Sequence, residues 1–133
     1  MKRWFSKLVA LVLIAVMFVS GCATTPGTEL LSGNYANDVQ TVVETLRATA
    51  DMPADADGFL AARAQATSLI DAFSSRYPAN SYNNKQSYTT LRTVFNTLGS
   101  YYRGEGTRSP NAKKLERVRG ELERVEKAIS VGR

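Results

Sequence analysis

Residues 109–130 read SPNAKKLERVRGELERVEKAIS, and this stretch decides the fold because it combines a helix start with a regular apolar stripe. Ser109 is the predicted N-cap, and Pro110 follows at the first helical position, where the N–H that proline lacks would have no partner. The apolar residues recur in steps of three and four, at Leu115, Val118, Leu122, Val125 and Ile129. At ~100° per residue they cover about 80° of a helical wheel, which is the narrow seam of packed helices. The stretch therefore predicts an amphipathic helix that packs in a bundle.

Three further amphipathic segments precede this helix. The first is predicted to start after Asn34 as N-cap and to end near Pro53. The second is opened by Asp55 or Asp57 and closes before Pro78. A polar link over 79–85 leads to the third, which Gly104 and Gly106 end. The residues expected on the buried stripes are Tyr35, Val39, Val42, Val43, Leu46, Ala50, Phe59, Ala62, Ala66, Leu69, Ile70, Phe73, Tyr77, Tyr88, Leu91, Phe95, Leu98 and Tyr102.

Four such helices with short links predict an all-α fold, an antiparallel up-down-up-down four-helix bundle. We expect this domain to cover residues 34–133. No segment shows the alternation of apolar and polar residues that a strand requires over a useful length.

The first 21 residues have the layout of an export signal. Lys2, Arg3 and Lys7 precede an apolar run from Leu8 to Val19, and positive charge followed by a short apolar run is typical of a secretory signal peptide. The run has 12 residues, whereas a transmembrane helix needs roughly 20. We therefore expect a cleaved signal peptide over 1–21.

The run ends in Val19-Ser20-Gly21-Cys22, which resembles the lipobox of bacterial lipoproteins. That resemblance implies a diacylglycerol on the Cys22 thiol, cleavage just before it, and acylation of the new amino terminus. The alternative is an ordinary signal peptide with a chance cysteine near its end. Because Cys22 is the only cysteine, we expect it to carry the lipid, with residues 22–33 as a flexible tether rich in Thr, Gly and Pro.

Charge is distributed unevenly along the mature chain. Removal of residues 1–21 takes away three of the 17 basic side chains and none of the 12 acidic ones, which leaves a net charge of +2. Residues 22–80 carry a net charge of −4 and residues 81–133 carry +6. An exported, tethered domain rarely meets nucleic acid, so the basic half favours an acidic protein surface or anionic lipid headgroups as its partner.

The side chains that usually carry chemistry are scarce. The chain has no histidine, which removes the commonest general base and the usual metal-binding imidazole. The one thiol is expected to carry lipid. We therefore expect no enzyme activity, no metal, no cofactor and no small-molecule substrate.

The carboxylates have simpler roles than catalysis. Asp55 and Asp57 lie at a predicted helix start and are interpreted as capping groups, with a cation site as the alternative. On the last helix the carboxylates share the outer face with basic residues, which favours a solvated surface; they are Glu116, Glu121, Glu123 and Glu126.

The tyrosines fall into two groups. Those on the apolar stripes are expected to pack their rings and to point their hydroxyl groups outward; they are Tyr35, Tyr77, Tyr88 and Tyr102. Tyr82 and Tyr101 fall off the stripes. An exposed tyrosine near arginines is a frequent interface anchor, although a harmless surface is the alternative for any single residue.

The amphipathic segments jointly resemble a known family, the cyanobacterial lipoproteins of photosystem II assembly and repair. The resemblance extends over nearly the whole chain and rests on the order and spacing of the pieces. The matching pieces are Tyr35 with Asp38, Val42-Val43 and Leu46-Arg47; Ala62-Arg63, Ile70-Asp71, Phe73 and Ser75-Arg76-Tyr77; and Ser87-Tyr88, Asn96, Leu98-Gly99 and Tyr102.

The resemblance implies a lipid-anchored, monomeric four-helix bundle on the lumenal side of the thylakoid membrane. Members of that family bind immature photosystem II, chiefly the lumenal loop of the antenna subunit PsbC, before the manganese cluster and the extrinsic subunits assemble. They bind no cofactor. We place the partner-binding surface on the basic half, at Arg92, Tyr101, Arg103 and Arg108, and assign Asn96 to helix packing or capping.

Two other functions compete with this one. The bundle could be a spacer or scaffold lipoprotein of the cell envelope with no photosynthetic role, which a non-photosynthetic source would favour. An enzyme or metal carrier is the third possibility, and the missing histidines make it the weakest.

Overall fold

Four long helices form a closed bundle in the part of the chain that the structure, a computed structural model, describes, namely residues 31–104 and 109–133. The helices are α1 (Tyr35–Asp51), α2 (Phe59–Arg76), the short α3 (Ala79–Tyr82), α4 (Gln86–Tyr102) and α5 (Ala112–Ser130). Helices α1, α2, α4 and α5 pack in chain order, and α5 returns to contact α1. Short links make successive long helices antiparallel, and neither described range contains a strand. The predicted all-α bundle is confirmed.

The apolar stripes of the four long helices meet in one core. Leu46, Leu69, Leu98 and Leu122 have no exposed surface, one from each long helix. Burying each such side chain contributes about 1.5–3 kcal/mol. On α5 the three central stripe residues are buried, while Leu115 and Ile129 at its ends remain half-buried.

The predicted N-cap of α1 is confirmed, whereas those of α2 and α5 differ from the prediction. The Asn34 side chain accepts the backbone N–H of Asn37 at 3.1 Å, as expected of the N-cap of α1. The prediction for α5 was wrong by two residues, because Asn111 is the N-cap and accepts the N–H of Lys114 at 2.9 Å. Asparagine caps as well as serine does, so the Ser109 signal did not decide the position.

The start of α2 also differs from the prediction. Its cap is Gly58, with φ +83° and no side-chain hydrogen bond, rather than Asp55 or Asp57, which are exposed. A positive φ favours glycine, and it turns the chain so that Phe59 enters the core at the first helical position. The polar link over 79–85 contains the four-residue helix α3.

An ion pair joins α1 to α5. Arg47 donates two hydrogen bonds to Glu126, both at 3.0 Å. The hydrogen bond to Glu126 raises the pKa of Arg47 above its ordinary value. The predicted solvated face of α5 is thus wrong at Glu126, which faces a neighbouring helix, whereas Glu121 pairs with Arg124 of its own helix at 3.3 Å.

A buried carboxylate holds the entry of the chain into the bundle. Asp38 in the first turn of α1 has no exposed surface. It accepts the Ser32 backbone N–H at 2.5 Å, the Ser32 hydroxyl at 2.8 Å and the Gly33 N–H at 3.1 Å. The Tyr77 hydroxyl, at the end of α2, donates to it at 2.5 Å. With Leu31 buried in the core, residues 31–33 of the predicted tether contact the bundle.

Two of the buried tyrosines, Tyr77 and Tyr88, point their hydroxyl groups inward. Tyr77 donates to Asp38, and Tyr88 donates to the Tyr77 carbonyl at 2.7 Å. The prediction that both hydroxyl groups face outward is therefore wrong. Their rings pack in one cluster, in which Tyr35 stacks on Tyr82 with centroids 5.2 Å apart and Phe73 contacts Tyr77 at 4.8 Å. The polar end of the Tyr77 ring supplies one of the hydrogen bonds that the buried carboxylate of Asp38 requires.

These contacts set the ionisation of the pair. Burial alone raises the pKa of Asp38, but the hydrogen bonds from Tyr77, Ser32 and Gly33 outweigh burial and hold that pKa below its ordinary value. Burial and the Asp38 carboxylate raise the pKa of Tyr77 well above its usual range. Asp38 is thus ionised and Tyr77 protonated at neutral pH.

Asp38→Asn is expected to lower the free energy of unfolding by about 1–3 kcal/mol at pH 7, because an amide accepts these hydrogen bonds less strongly than a carboxylate. Since the folded-state pKa of Asp38 lies below the unfolded one, its stabilisation is complete above about pH 4 and is lost as pH falls through the folded-state pKa. Urea unfolding at pH 7 and pH 3 measures both effects.

The matched control is Asp51→Asn, since Asp51 forms an exposed ion pair with Arg119 at 2.8 Å. Such pairs contribute about 0–1 kcal/mol. Equal losses for the two variants, or a loss at Asp38 that does not shrink in acid, would contradict the assignment.

Substitution of two glycines by alanine is expected to change stability in opposite directions. Gly120 lies inside α5 with open space around it, so Gly120→Ala is expected to raise stability by about 0.5–1 kcal/mol. Gly58→Ala is expected to destabilise, because φ +83° is strained for alanine although no atom obstructs the methyl group. Thermal unfolding of both variants compares the two, and changes of the same sign would refute the distinction.

Candidate functional site

The described residues show no arrangement suited to metal binding. No group of three or more His, Cys, Asp or Glu side chains in the described ranges is close enough to hold a metal ion. No helix within these ranges has the length and apolar character needed to cross a membrane. On the surface of the described bundle, the candidate site is the outer side of α4.

The outer side of α4 belongs to a long stretch without carboxylates. Residues 72–104 contain no Asp or Glu, but they include Arg76, Lys85, Arg92 and Arg103. The whole of α4 lies inside this stretch. Its outer side therefore carries no negative side chain of its own.

The centre of this side is uncharged and rich in hydroxyl groups. Thr89, Thr93, Thr97 and Ser100 each donate the hydroxyl proton to a carbonyl of the preceding turn of α4, at 3.1, 3.2, 3.1 and 2.8 Å. Such back-bonding satisfies the donor within the helix. The groups left for a partner are methyl groups and hydroxyl lone pairs. We call these four residues the α4 hydroxyl face.

Two of the predicted partner-binding residues lie together at one edge of the α4 hydroxyl face. Arg92 and Arg103 line the groove between α2 and α4, with Asn96 between them. Arg103 forms an ion pair with Asp71 of α2 and lies across Gly99, where a Cβ would come within 2.8 Å of its Nη1. Asn96 is exposed in the middle of α4, so its assignment to helix packing or capping is wrong.

Arg92 differs from Arg103 in having a free guanidinium. Arg92 is exposed and forms no hydrogen bond or ion pair with any described residue. Its five donors can therefore bind a carboxylate without first breaking another contact. Arg103 must give up Asp71 to do the same.

Tyr101 lies at the opposite edge. It lines the groove between α4 and α5 and is half-buried. Lys114 donates to its hydroxyl at 2.7 Å, and the same ammonium lies 5.2 Å from the ring centroid. A cation over an aromatic face stabilises the ring position. Tyr101 is thus engaged with α5 and does not form one cluster with Arg92 and Arg103.

The remaining predicted site residues, Cys22 and Arg108, lie outside the described residues. Sequence reasoning missed two residues of the site: Asp71, which neutralises Arg103, and Lys114, which contacts Tyr101. Neither had a local signal, because each meets its partner across a groove between helices. The position of Tyr101 could have been found, since nine residues after Arg92 correspond to half a turn of the wheel at ~100° per residue.

Known proteins resemble this chain over almost its whole length. The family model described as Photosystem II Pbs27 matches residues 5–129. A protein of Synechocystis sp., described as photosystem II lipoprotein Psb27, is 32% identical over 133 residues, which cover 99% of this chain and 97% of that protein. A photosystem II assembly factor lipoprotein Psb27 from Thermosynechococcus vestitus is 28% identical over 130 residues, 97% of this chain and 96% of its own.

Solved structures agree with the fold. The solution structure of Psb27 from cyanobacterial photosystem II superposes with a TM-score of 0.74 at 33% identity, covering 84% of this chain and 96% of that one. The crystal structure of Psb27 from Arabidopsis thaliana gives a TM-score of 0.69 at 25% identity, over 74% of this chain and 98% of the other. The similarity thus includes the whole bundle.

Proposed function

This chain belongs to the photosystem II Psb27 family, and we propose from that membership that it is an assembly and repair factor which binds immature photosystem II on the lumenal side of the thylakoid membrane. The family consists of photosystem II assembly factors and not of enzymes. We propose the lumenal loop of PsbC as the partner, bound before the manganese cluster and the extrinsic subunits assemble. The family match over residues 5–129 is the observation that supports this function best.

The α4 hydroxyl face and Arg92 are the proposed centre of the partner surface. Without carboxylates over 72–104, α4 itself does not repel acidic groups of a partner, and Glu121, which lines the groove beside Thr93 and Thr97, pairs with Arg124. The exposed guanidinium of Arg92 can bind such acidic groups. Arg103 contributes less, because Asp71 competes for it. Tyr101 lies across α4, so an interface that includes it must span the hydroxyl face.

The chemistry of this surface suits a temporary partner. Few exposed charges on α4 and an uncharged centre favour an interface of modest area, and the charged rim favours a salt-dependent affinity. An assembly factor must leave once its client matures, and weak rim contacts permit this. We propose that a lipid on Cys22 raises the local concentration of the domain near its client and offsets the modest affinity.

Arg92→Glu is expected to weaken capture of photosystem II intermediates at least tenfold, which corresponds to about 1.4 kcal/mol or more, because it places a carboxylate where a carboxylate partner binds. Affinity purification from solubilised thylakoids through a C-terminal tag, scored by recovery of chlorophyll proteins, measures the effect. Asp71→Asn is expected to strengthen capture, since it releases Arg103.

The control for this charge reversal is Lys113→Glu, because Lys113 is an exposed cation on α5 that does not line the groove beside Thr93, Thr97 and Ser100. Unchanged capture by Arg92→Glu and by Arg103→Glu would reject this surface. If the unmodified protein recovers no chlorophyll proteins at all, the photosystem function fails, and an envelope scaffold becomes the better assignment.

After a high-salt wash, which weakens electrostatic contacts, Cys22→Ala is expected to be in the soluble fraction and the unsubstituted protein in the membrane, because only the latter carries the acyl chains, two or three of which anchor far more firmly than one. Mass spectrometry of the mature unsubstituted protein should show residues 1–21 removed and an acylated amino-terminal cysteine. Ser6→Ala, in the leader, is the control and should leave fractionation unchanged. An unmodified thiol in the mature protein would refute the anchor.

A further inference from the structure

A second basic surface lies at the end of the bundle from which the chain leads back to Cys22, and we propose that it binds the anionic headgroups of the bilayer that holds the lipid. This inference rests on the proposed anchor at Cys22. We call this surface the tether end; it consists of Arg76, Lys85, Arg124, Lys127, Val131 and Arg133.

The position of the amino-terminal arm determines which end faces the membrane. Asp38 holds Ser32 and Gly33 beside the first turn of α1, and Leu31 is buried in the core. Leu31 lies nine positions after Cys22, and a chain of that length spans at most about 30 Å. The lipid therefore keeps this end of the bundle within about 30 Å of the headgroups.

The other long helices bring their ends to the same place. The Tyr35 hydroxyl at the start of α1 lies 3.0 Å from the Ser87 hydroxyl at the start of α4, and Tyr77 after α2 donates to Asp38. Gln86 at the start of α4 lines one groove with Ala128 near the end of α5. The starts of α1 and α4 and the ends of α2 and α5 thus form one surface.

The cations of the tether end come from three parts of the chain. The Arg76 guanidinium lies against the amino-terminal arm, because a Cβ on Gly33 would come within 2.8 Å of its Nη2. The Lys85 ammonium lies 5.4 Å from the Tyr35 ring centroid. Arg124, Lys127 and Arg133 line the groove beside Gln86.

Few carboxylates oppose these cations. Asp38 is buried and saturated with hydrogen bonds, Glu126 pairs with Arg47, and Glu121 pairs with Arg124 at 3.3 Å. Residues 72–104 and 127–133 contain no carboxylate side chain. A net positive surface therefore remains at the end that the lipid brings to the bilayer.

Val131 favours a lipid partner over an acidic protein surface. It is 63% exposed, and among the described residues only Leu60 is another exposed large apolar side chain. Lysine and arginine around an exposed aliphatic side chain match the headgroup region, where cations meet the phosphate and apolar groups reach the acyl boundary. In this orientation the tether end contacts the membrane, the long helices run away from it, and the α4 hydroxyl face points along the membrane plane.

The test uses the mature chain, residues 22–133, with Cys22→Ser and no lipid. Its core lies between Leu31 and Ala128, so the bundle does not need the anchor to fold. Cosedimentation with phosphatidylcholine vesicles, with and without phosphatidylglycerol, is expected to show binding only to the anionic vesicles, and this binding is expected to weaken with salt. A double variant, Lys127→Glu with Arg133→Glu, is expected to lose affinity about tenfold or more.

The matched control is Lys113→Glu with Arg117→Glu, which makes the same charge change at the other end of the same helix. Equal losses in the two double variants, or no binding to anionic vesicles, would overturn the proposal. Lys85→Glu tests independently whether the tether-end cation just before α4 contributes to vesicle binding. Circular dichroism verifies the fold of each variant.

Vesicle binding is measured without the lipid on Cys22 and without photosystem II, so its failure is distinct from failure of the proposed function. If the tether-end variant weakened photosystem II capture but not vesicle binding, a protein would be the partner of this end, and the lipid proposal would be wrong.

Discussion

The ionised Asp38 carboxylate, buried without exposed surface, is the constraint on which the arrangement of this end of the bundle depends. A buried charge is tolerated only when hydrogen bonds replace the water that it has lost. Here the donors come from the arm before α1 and from the residue after α2. Satisfying one carboxylate therefore fixes the arm, the first turn of α1 and the end of α2 relative to one another.

This constraint extends to α4 through tyrosines. The Tyr77 hydroxyl donates to Asp38, and the Tyr77 backbone carbonyl, just past the end of α2, accepts from Tyr88. Tyr35 reaches Ser87. Each hydroxyl lies at the polar end of a ring that packs in the aromatic cluster. The same side chains thus supply apolar contact area and the polar contacts of the network, which is why a core rich in tyrosine can surround a charge.

The sequence predicted what depends on periodicity and missed what depends on contacts between segments. The stripes of all four long helices face the core as expected, because 3.6-residue spacing alone places them. The start of α5 was ambiguous, since Ser109 and Asn111 are both good caps and only the folded chain chooses between them. The contact between Asp38 and Tyr77 gave no usable local signal, because the two residues lie 39 positions apart. In the candidate site, the common edge of Arg92 and Arg103 follows from the wheel, whereas the neutralisation of Arg103 by Asp71 does not.

One feature of the sequence contributes to both surfaces of the bundle. Acidic residues are absent from residues 72–104, and this stretch contains both the link at the tether end and the whole of α4. Since α4 starts at the tether end and runs away from it, a bundle that stands on its amino-terminal arm presents the α4 hydroxyl face to neighbours in the same membrane. A lipid alone would leave the domain free to rotate about its tether. In the proposed arrangement, contacts between the tether-end cations and the headgroups would restrict that rotation, so that weak contacts on α4 would meet a client already in a suitable orientation.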